Sequence, residues 1–201
     1  ILKMGGVVEQ QIHEAVESML RQDCDLADKV IDRDNEVDDL QYIIEDLCVK
    51  IIMCEQPIAK DLRAVFTGIK IATDLERISD IAVNIARVTK KLCNGQYIKP
   101  LIDIPKMAKL AQKIVKIALD SYVQRDIDMA KNLVEIEDKI DKLYIQVSQD
   151  LLDIMIQKPE TISQGIQLLL VGRHIERIGD HSTNIGEMVI YMKTGERVNL
   201  N

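Results

Sequence analysis

Aromatic side chains are nearly absent from this chain. Its 201 residues include five Tyr, one Phe and no Trp, with only nine Gly and four Pro. β-Sandwiches and barrels draw on aromatic residues and frequent turn residues, so this palette argues against them and for packed helices. Basic clusters are missing too. A formal net charge of -7 excludes nucleic acid or an anionic lipid surface as the main partner, because both call for grouped Lys and Arg, and it points to cations instead. The longest stretch without a charged side chain, residues 161–172, has 12 residues, against the ~20 that span a bilayer. No basic-then-apolar leader opens the sequence, and its start at Ile1 rather than Met creates the expectation that residues are missing before Ile1. Cys24, Cys48, Cys54 and Cys93 show no CxxC spacing. They read as small buried apolar residues of a reducing, cytoplasmic compartment, and a zinc finger is excluded.

What is present is a repeat. At an offset of 103, Ser18 falls on Ser121 and DCDLA (23–27) falls on DIDMA (126–130). At an offset of 100, LERISDIAVNIA (75–86) matches IERIGDHSTNIG (175–186) at six of twelve positions. The chain is therefore a tandem duplication, with domains expected at 1–98 and 104–201. Each half reads as three helices from its apolar periodicity, with Asp23 or Asp25 placed to cap the second helix and Gly95 and Gly195 placed as left-handed C-caps. The predicted fold class is all-α: two antiparallel three-helix bundles in tandem.

Both third helices carry Glu-Arg-Ile-x-Asp-x-x-x-Asn: Glu76, Arg77, Asp80 and Asn84, then Glu176, Arg177, Asp180 and Asn184. Residues four apart lie about 40° from one another on a helix, so Glu, Asp and Asn form one ridge. The second helices add Asp34 with Asp38 and Glu137 with Asp141, so a (D/E)xxxD pattern occurs four times. The ridge lies away from the core stripe of Leu75, Ile78, Ala82 and Ile85 (Ile175, Ile178, Ser182 and Ile185 in the second half), so these acids are expected to face outward. A solvated face with local ion pairs is the plain alternative. Gly165, Gly172, Gly179 and Gly186 form a heptad in the last helix, matched by Val65, Ala72, Ser79 and Ala86. Glycine within a helix costs roughly 0.8–1 kcal/mol relative to alanine, so such a stripe implies close approach of a neighbour, the preceding helix with its own acids. Four carboxylates gathered in that way suit hard or borderline cations such as Mg, Mn, Ca or Fe.

Catalytic signatures are missing. None of His13, His174 and His181 has a Glu three residues before it, which excludes a ferritin-like di-metal oxidase, and no phosphate-binding loop, nucleophile elbow or HExxH occurs. His174 and His181 read as packing or hydrogen-bonding residues, and Arg77 and Arg177 as partners of local acids.

The stretches KMGG (3–6), QPIAKDLR (56–63), IKIATDLERISD (69–80) and IERIGDH (175–181) resemble the PhoU family of bacterial phosphate-signalling proteins over nearly the whole chain. The resemblance implies a non-enzymatic cytoplasmic regulator that couples the ATPase subunit of a phosphate ABC transporter to a phosphate-sensing histidine kinase. It would be peripheral to the membrane through those partners only, and a homodimer is left open. The resemblance also implies multinuclear iron or zinc clusters on the bundle surface. Their ligands would be Asp34, Asp38, Glu76 and Asp80 in one half and Glu137, Asp141, Glu176 and Asp180 in the other, with Arg77, Asn84, Arg177 and Asn184 as supporting or partner-binding residues. Ser79 and Ile81 depart from the Gly and His usual after the first ERI, so the two sites are expected to differ. Two other functions stay open: a metal-dependent hydrolase of phosphorylated substrates and an accessory subunit of another phosphate or ion transporter.

Overall fold

A computed structural model describes residues 1–200. Its helices are α1 (Leu2–Arg21), α2 (Cys24–Asp32), α3 (Asp34–Glu55), α4 (Ala59–Leu92), α5 (Asp103–Gln124), α6 (Ile127–Lys131), α7 (Leu133–Gln157) and α8 (Ile162–Thr194), and no strand occurs among the described residues. Among the described residues no helix is long and apolar enough to cross a membrane.

The duplication is visible in the caps. Gln22 and Arg125 both end their helices in the left-handed region, at φ 54° and 53°. The N–H groups of Asp23 and Asp126 then reach back to the carbonyls of Ser18 and Ser121, at 2.8 and 3.0 Å. The next helices are started by the side chains of Asp23, which accepts from Leu26 N at 2.9 Å, and of Asp126, which accepts from Met129 N at 3.0 Å. The second helix expected in each half is kinked. Arg33 and Asn132 separate its two segments while keeping right-handed helical dihedrals. In the frame of the repeat the kink moves by one turn, since Asn132 aligns with Lys29. Gly195 caps α8 at φ 80° as expected, but α4 ends on Cys93 in the right-handed region and Gly95 has no positive φ. The helix before Gly95 closes with the Cys93 N–H donating to the Thr89 carbonyl at 2.8 Å.

The two longest helices, α4 and α8, pack antiparallel at the centre. Their pairing is fixed by Thr67 Oγ1 to the Met188 carbonyl (3.4 Å), by Asp74 against His181 and Asn184, and by Lys91 to Gln167 (3.4 Å). Helices α1 and α5 cover one side of this pair and also touch each other, while α3 and α7 lie outside α4 and α8. A single buried cluster runs through both halves, from Met4, Val8 and Ile12 through Ile71, Leu75 and Ile78 to Met107, Ile114, Ile175 and Ile178. The link between halves is pinned rather than loose: Tyr97 Oη donates to the Met19 carbonyl (2.6 Å) and Lys99 pairs with Asp150 (2.9 Å).

The glycine heptad seats the outer helix of the second half, as its spacing predicts. A β-carbon on Gly165 would meet Met155, one on Gly172 would meet Tyr144, one on Gly179 would lie 3.4 Å from Glu137 Cγ, and one on Gly186 would lie 2.6 Å from Leu133 and 3.2 Å from the Ala130 carbonyl.

The cysteines differ from expectation. Cys24 and Cys93 form a disulfide, with Cα atoms 6.2 Å apart, because the start of α2 packs beside the end of α4. Cys48 is buried as expected, whereas Cys54 is exposed.

Two outcomes follow from this packing. Gly186→Ala is expected to destabilise the fold by about 1–2 kcal/mol, since a fully buried Leu133 and a backbone carbonyl block the new methyl. Gly179→Ala, with ordinary contact distances, is expected to be neutral or to gain up to about 1 kcal/mol of helix propensity; urea denaturation of both variants checks the contrast. The disulfide closes a segment of 69 residues, so reduction, or Cys24→Ser, is expected to lower stability by about 2–4 kcal/mol. Equal urea midpoints with and without reductant would contradict it.

Candidate functional site

The eight predicted acids fall into two grooves, one between α3 and α4 and one between α7 and α8. In the first groove Asp34 and Asp38 come from α3, and Glu76 and Asp80 from α4. All four are partly buried. Burial raises the Glu76 carboxyl above its usual range; Arg77 opposes that shift, and Asp80, Asp38 and Asp34 add to it. Asp38 is raised in the same way, by burial and by Asp34, Asp80 and Asp39. Arg77 spans the ridge, with Nε 3.5 Å from Glu76 and a terminal nitrogen 3.6 Å from Asp80. Asp34 opens α3, where free amide groups favour a carboxylate, and the Ser79 hydroxyl lies 2.8 Å from it and 2.8 Å from Gln11 Oε1. Gln11 and Ser79 are fully buried. Ser79 carries a mark in the sequence as a departure from the family pattern, whereas Gln11 carries none, because its link to the groove crosses from α1 to α4.

The second groove is deeper. Glu137 is 9% exposed and Glu176 is 7% exposed, which corrects the expectation that the acids face outward. Gly172 and Gly179 let α7 settle onto α8, and the acids between the two helices are covered as a result. The Glu137 carboxyl is pushed up to about 7, first by burial, then by the neighbouring Asp141, Asp180 and Asp138. Asp141 is also raised by burial and by Asp180, with Arg173 opposing. Glu176 Oε1 pairs with Arg173, a residue the motif did not mark. Arg173 aligns with Thr73, so no repeat signal could have found it. Glu176 Oε2 and Asp141 Oδ1 are buried without a hydrogen-bond partner.

The supporting residues diverge from the ridge. Arg77 pairs with the acids as expected, but Arg177 makes no ion pair among the described residues. Asn84 accepts from Arg87 (3.2 Å), and Asn184 donates to Asp74 (3.3 Å) across the halves. His181 Nδ1 lies 3.0 Å from the same Asp74 carboxylate, the hydrogen-bonding role expected for it. His174 is lowered by burial and by Arg177, and its Nδ1 has no partner.

Among the described residues no three His, Cys, Asp or Glu side chains are gathered tightly enough to enclose an ion. The second groove is lined by carboxylate oxygens, two of them buried and unpartnered, and by a Glu137 carboxyl raised to about 7.

A pH dependence follows for the metal-free protein. An unfolded Glu titrates near 4.3 and folded Glu137 near 7, so between these values the folded state holds the proton more tightly than the unfolded state. Stability from this group is therefore lost as pH rises through that window. Glu137→Gln is expected to match the parent near pH 4 and to exceed it by about 1–2 kcal/mol at pH 8 in the presence of chelator. Denaturation curves at the two pH values check this, and a variant less stable than the parent at pH 8 would contradict it.

Comparison with known proteins agrees with this architecture. A profile of the PhoU domain matches residues 1–89 and again 104–189. The chain is 39% identical, over 100% of its length and 92% of the relative's, to the phosphate-specific transport system accessory protein PhoU homolog of Clostridium acetobutylicum. It is 34% identical over 98% of its length to the corresponding homolog of Pseudomonas aeruginosa, covering 82% of that protein. The crystal structure of PhoU from Pseudomonas aeruginosa superposes with a TM-score of 0.92 at 34% identity, covering 97% of this chain and 94% of that one. The phosphate transport system regulatory protein PhoU from Streptococcus pneumoniae superposes with a TM-score of 0.91 at 27% identity, covering 98% and 93%. With both halves matched in order and the whole fold shared, the chain belongs to the PhoU family.

Proposed function

We propose that this protein is a non-enzymatic accessory regulator of a phosphate-specific transport system. In this reading it works in the cytoplasm, binds the ATPase subunit of the transporter and a phosphate-sensing histidine kinase, and represses the starvation response when phosphate is plentiful. The observation that carries it is identity spread along the entire chain with a phosphate-specific transport system accessory protein homolog, 39% over both halves. The rigid helical frame supports the same reading. A continuous core and a pinned link between halves present long, fixed helix faces, which suit an adaptor. Deleting the gene is expected to leave alkaline phosphatase constitutive at high phosphate; normal repression in the deletion strain would overturn the regulatory role.

The same reading includes cations on the carboxylate grooves. Asp34, Asp38, Glu76 and Asp80 would hold one set, and Glu137, Asp141, Glu176 and Asp180 the other. The ions, multinuclear iron or zinc by the family resemblance, would supply positive charge that offsets repulsion among the acids. Ligation requires the carboxylates to come closer together than they now stand. It also competes with the proton on Glu137, so affinity falls with acidity. Purified protein is expected to retain metal, and Glu76→Ala with Asp80→Ala to lose the share held by the first half; equal metal content in variant and parent by mass spectrometry would overturn the ligand assignment.

A further inference from the structure

One groove of this acidic chain is lined by cations that no carboxylate answers. It lies where the end of α3, the start of α4 and the end of α8 meet, and Arg63, Lys70 and Arg197 border it. None of the three forms an ion pair among the described residues. Glu187 is the one carboxylate along the groove, and it makes no ion pair either; one of its oxygens accepts from the Leu200 N–H at 2.9 Å. The Arg63 guanidinium packs against Gly195, where a β-carbon would stand 3.6 Å from it, and Arg63 Nε is buried without a hydrogen-bond partner. The other two cations rest on aromatic rings. Lys70 Nζ stands 5.8 Å from the centre of the Phe66 ring and Arg197 Cζ 5.9 Å from that of Tyr191, and the two rings meet edge to face at 6.2 Å. A ring face orients a cation without neutralising it, so these charges stay open to an anion.

The groove has two lobes, which share Phe66, Tyr191 and Arg197. One, of about 400 Å³, is walled by Ile52, Leu62 and Ile69 with Arg63 at its side; the other, of about 320 Å³, holds Lys70. Both volumes fall within the range of small-molecule sites. Phe66 is the single phenylalanine of the chain, yet it is 37% exposed. The duplicated frame supplies an internal comparison. At the opposite end of the α4 and α8 pair, Ser163, Ile166 and Leu170 stand in place of Arg63, Phe66 and Lys70. There the link between the halves covers the start of α8, with Gln164 donating to the Gln96 carbonyl at 3.0 Å. The charged and aromatic corner is the open one. A bare anion would leave its apolar lobe unfilled, and an apolar ligand would leave its cations unanswered. A flat ring system joined to phosphates meets both demands, since aromatic and aliphatic walls take the ring and guanidinium and ammonium groups take phosphate oxygens. A mononucleotide has that form, and it is a far smaller anion than the polymer that the overall charge turns away.

We propose that this groove is a nucleotide-binding site, with the base in the lobe of Leu62 and Phe66 and the phosphates on Lys70, Arg197 and Arg63. The site is independent of any metal on the carboxylate grooves. The test is isothermal titration calorimetry on the full chain in the presence of chelator, with ADP, GDP, adenosine and pyrophosphate as probes. ADP or GDP is expected to bind with a dissociation constant below about 100 μM, and adenosine and pyrophosphate at least about tenfold more weakly, since each fills one lobe only. Lys70→Ala and Arg197→Ala alter exposed side chains; each is expected to weaken the nucleotide at least about tenfold while circular dichroism stays unchanged. Phe66→Leu is expected to weaken it as well, and Lys113→Ala, on the exposed face of α5, to leave it unchanged. No binding of either nucleotide at about 1 mM, or binding undiminished in the Lys70→Ala, Arg197→Ala double variant, overturns the site. Pyrophosphate bound as tightly as ADP overturns the assignment to a nucleotide, leaving an anion patch.

Discussion

Everything in this molecule hangs on the antiparallel crossing of α4 and α8. Each helix has an apolar stripe on one side and a carboxylate ridge on another, and pairing the two stripes forces the ridges apart, toward opposite flanks. The register of the crossing is held by Asp74, which meets both His181 and Asn184. Sliding one helix by a turn would leave a half-buried carboxylate without donors, a loss comparable to several ordinary contacts. Once that register stands, α1 and α5 have one face left to cover, and α3 and α7 have only the outer grooves.

The crossing has pseudo-twofold symmetry, and its exceptions are informative. Asp74 aligns with His174, and His181 with Ile81, so the register sets His174 opposite Ile81 where its mate sets His181 opposite Asp74. One crossing point carries a polar clasp; at the other, a buried imidazole nitrogen has no partner. The same divergence recurs at Ser79 and Gly179. The duplication preserved the frame and let the chemistry of the two copies drift apart.

Much of the frame was legible in the sequence because it depends on patterns within single helices. The offsets of 103 and 100 located the two halves, apolar spacing located the helices, and the glycine heptad identified the face that receives α7. The site was less legible. Spacing tells which face of a helix an acid occupies, not how near the next helix comes, so Glu137 and Glu176 read as solvated although they are covered. Arg173 lies outside the duplicated motif and so carries no signal of its own. Cys24 and Cys93 are far apart in sequence and carry no spacing signal; they meet only because the turn after Arg21 lies beside the end of α4.

That meeting makes the first half a covalent ring while the second remains an open chain. A protease that nicks the connection at Gln56–Pro57 would leave α1 to α3 and α4 tied through Cys24 and Cys93. A nick near Lys158, in the equivalent connection, would leave α8 attached by packing alone. The two copies therefore differ in how they would come apart.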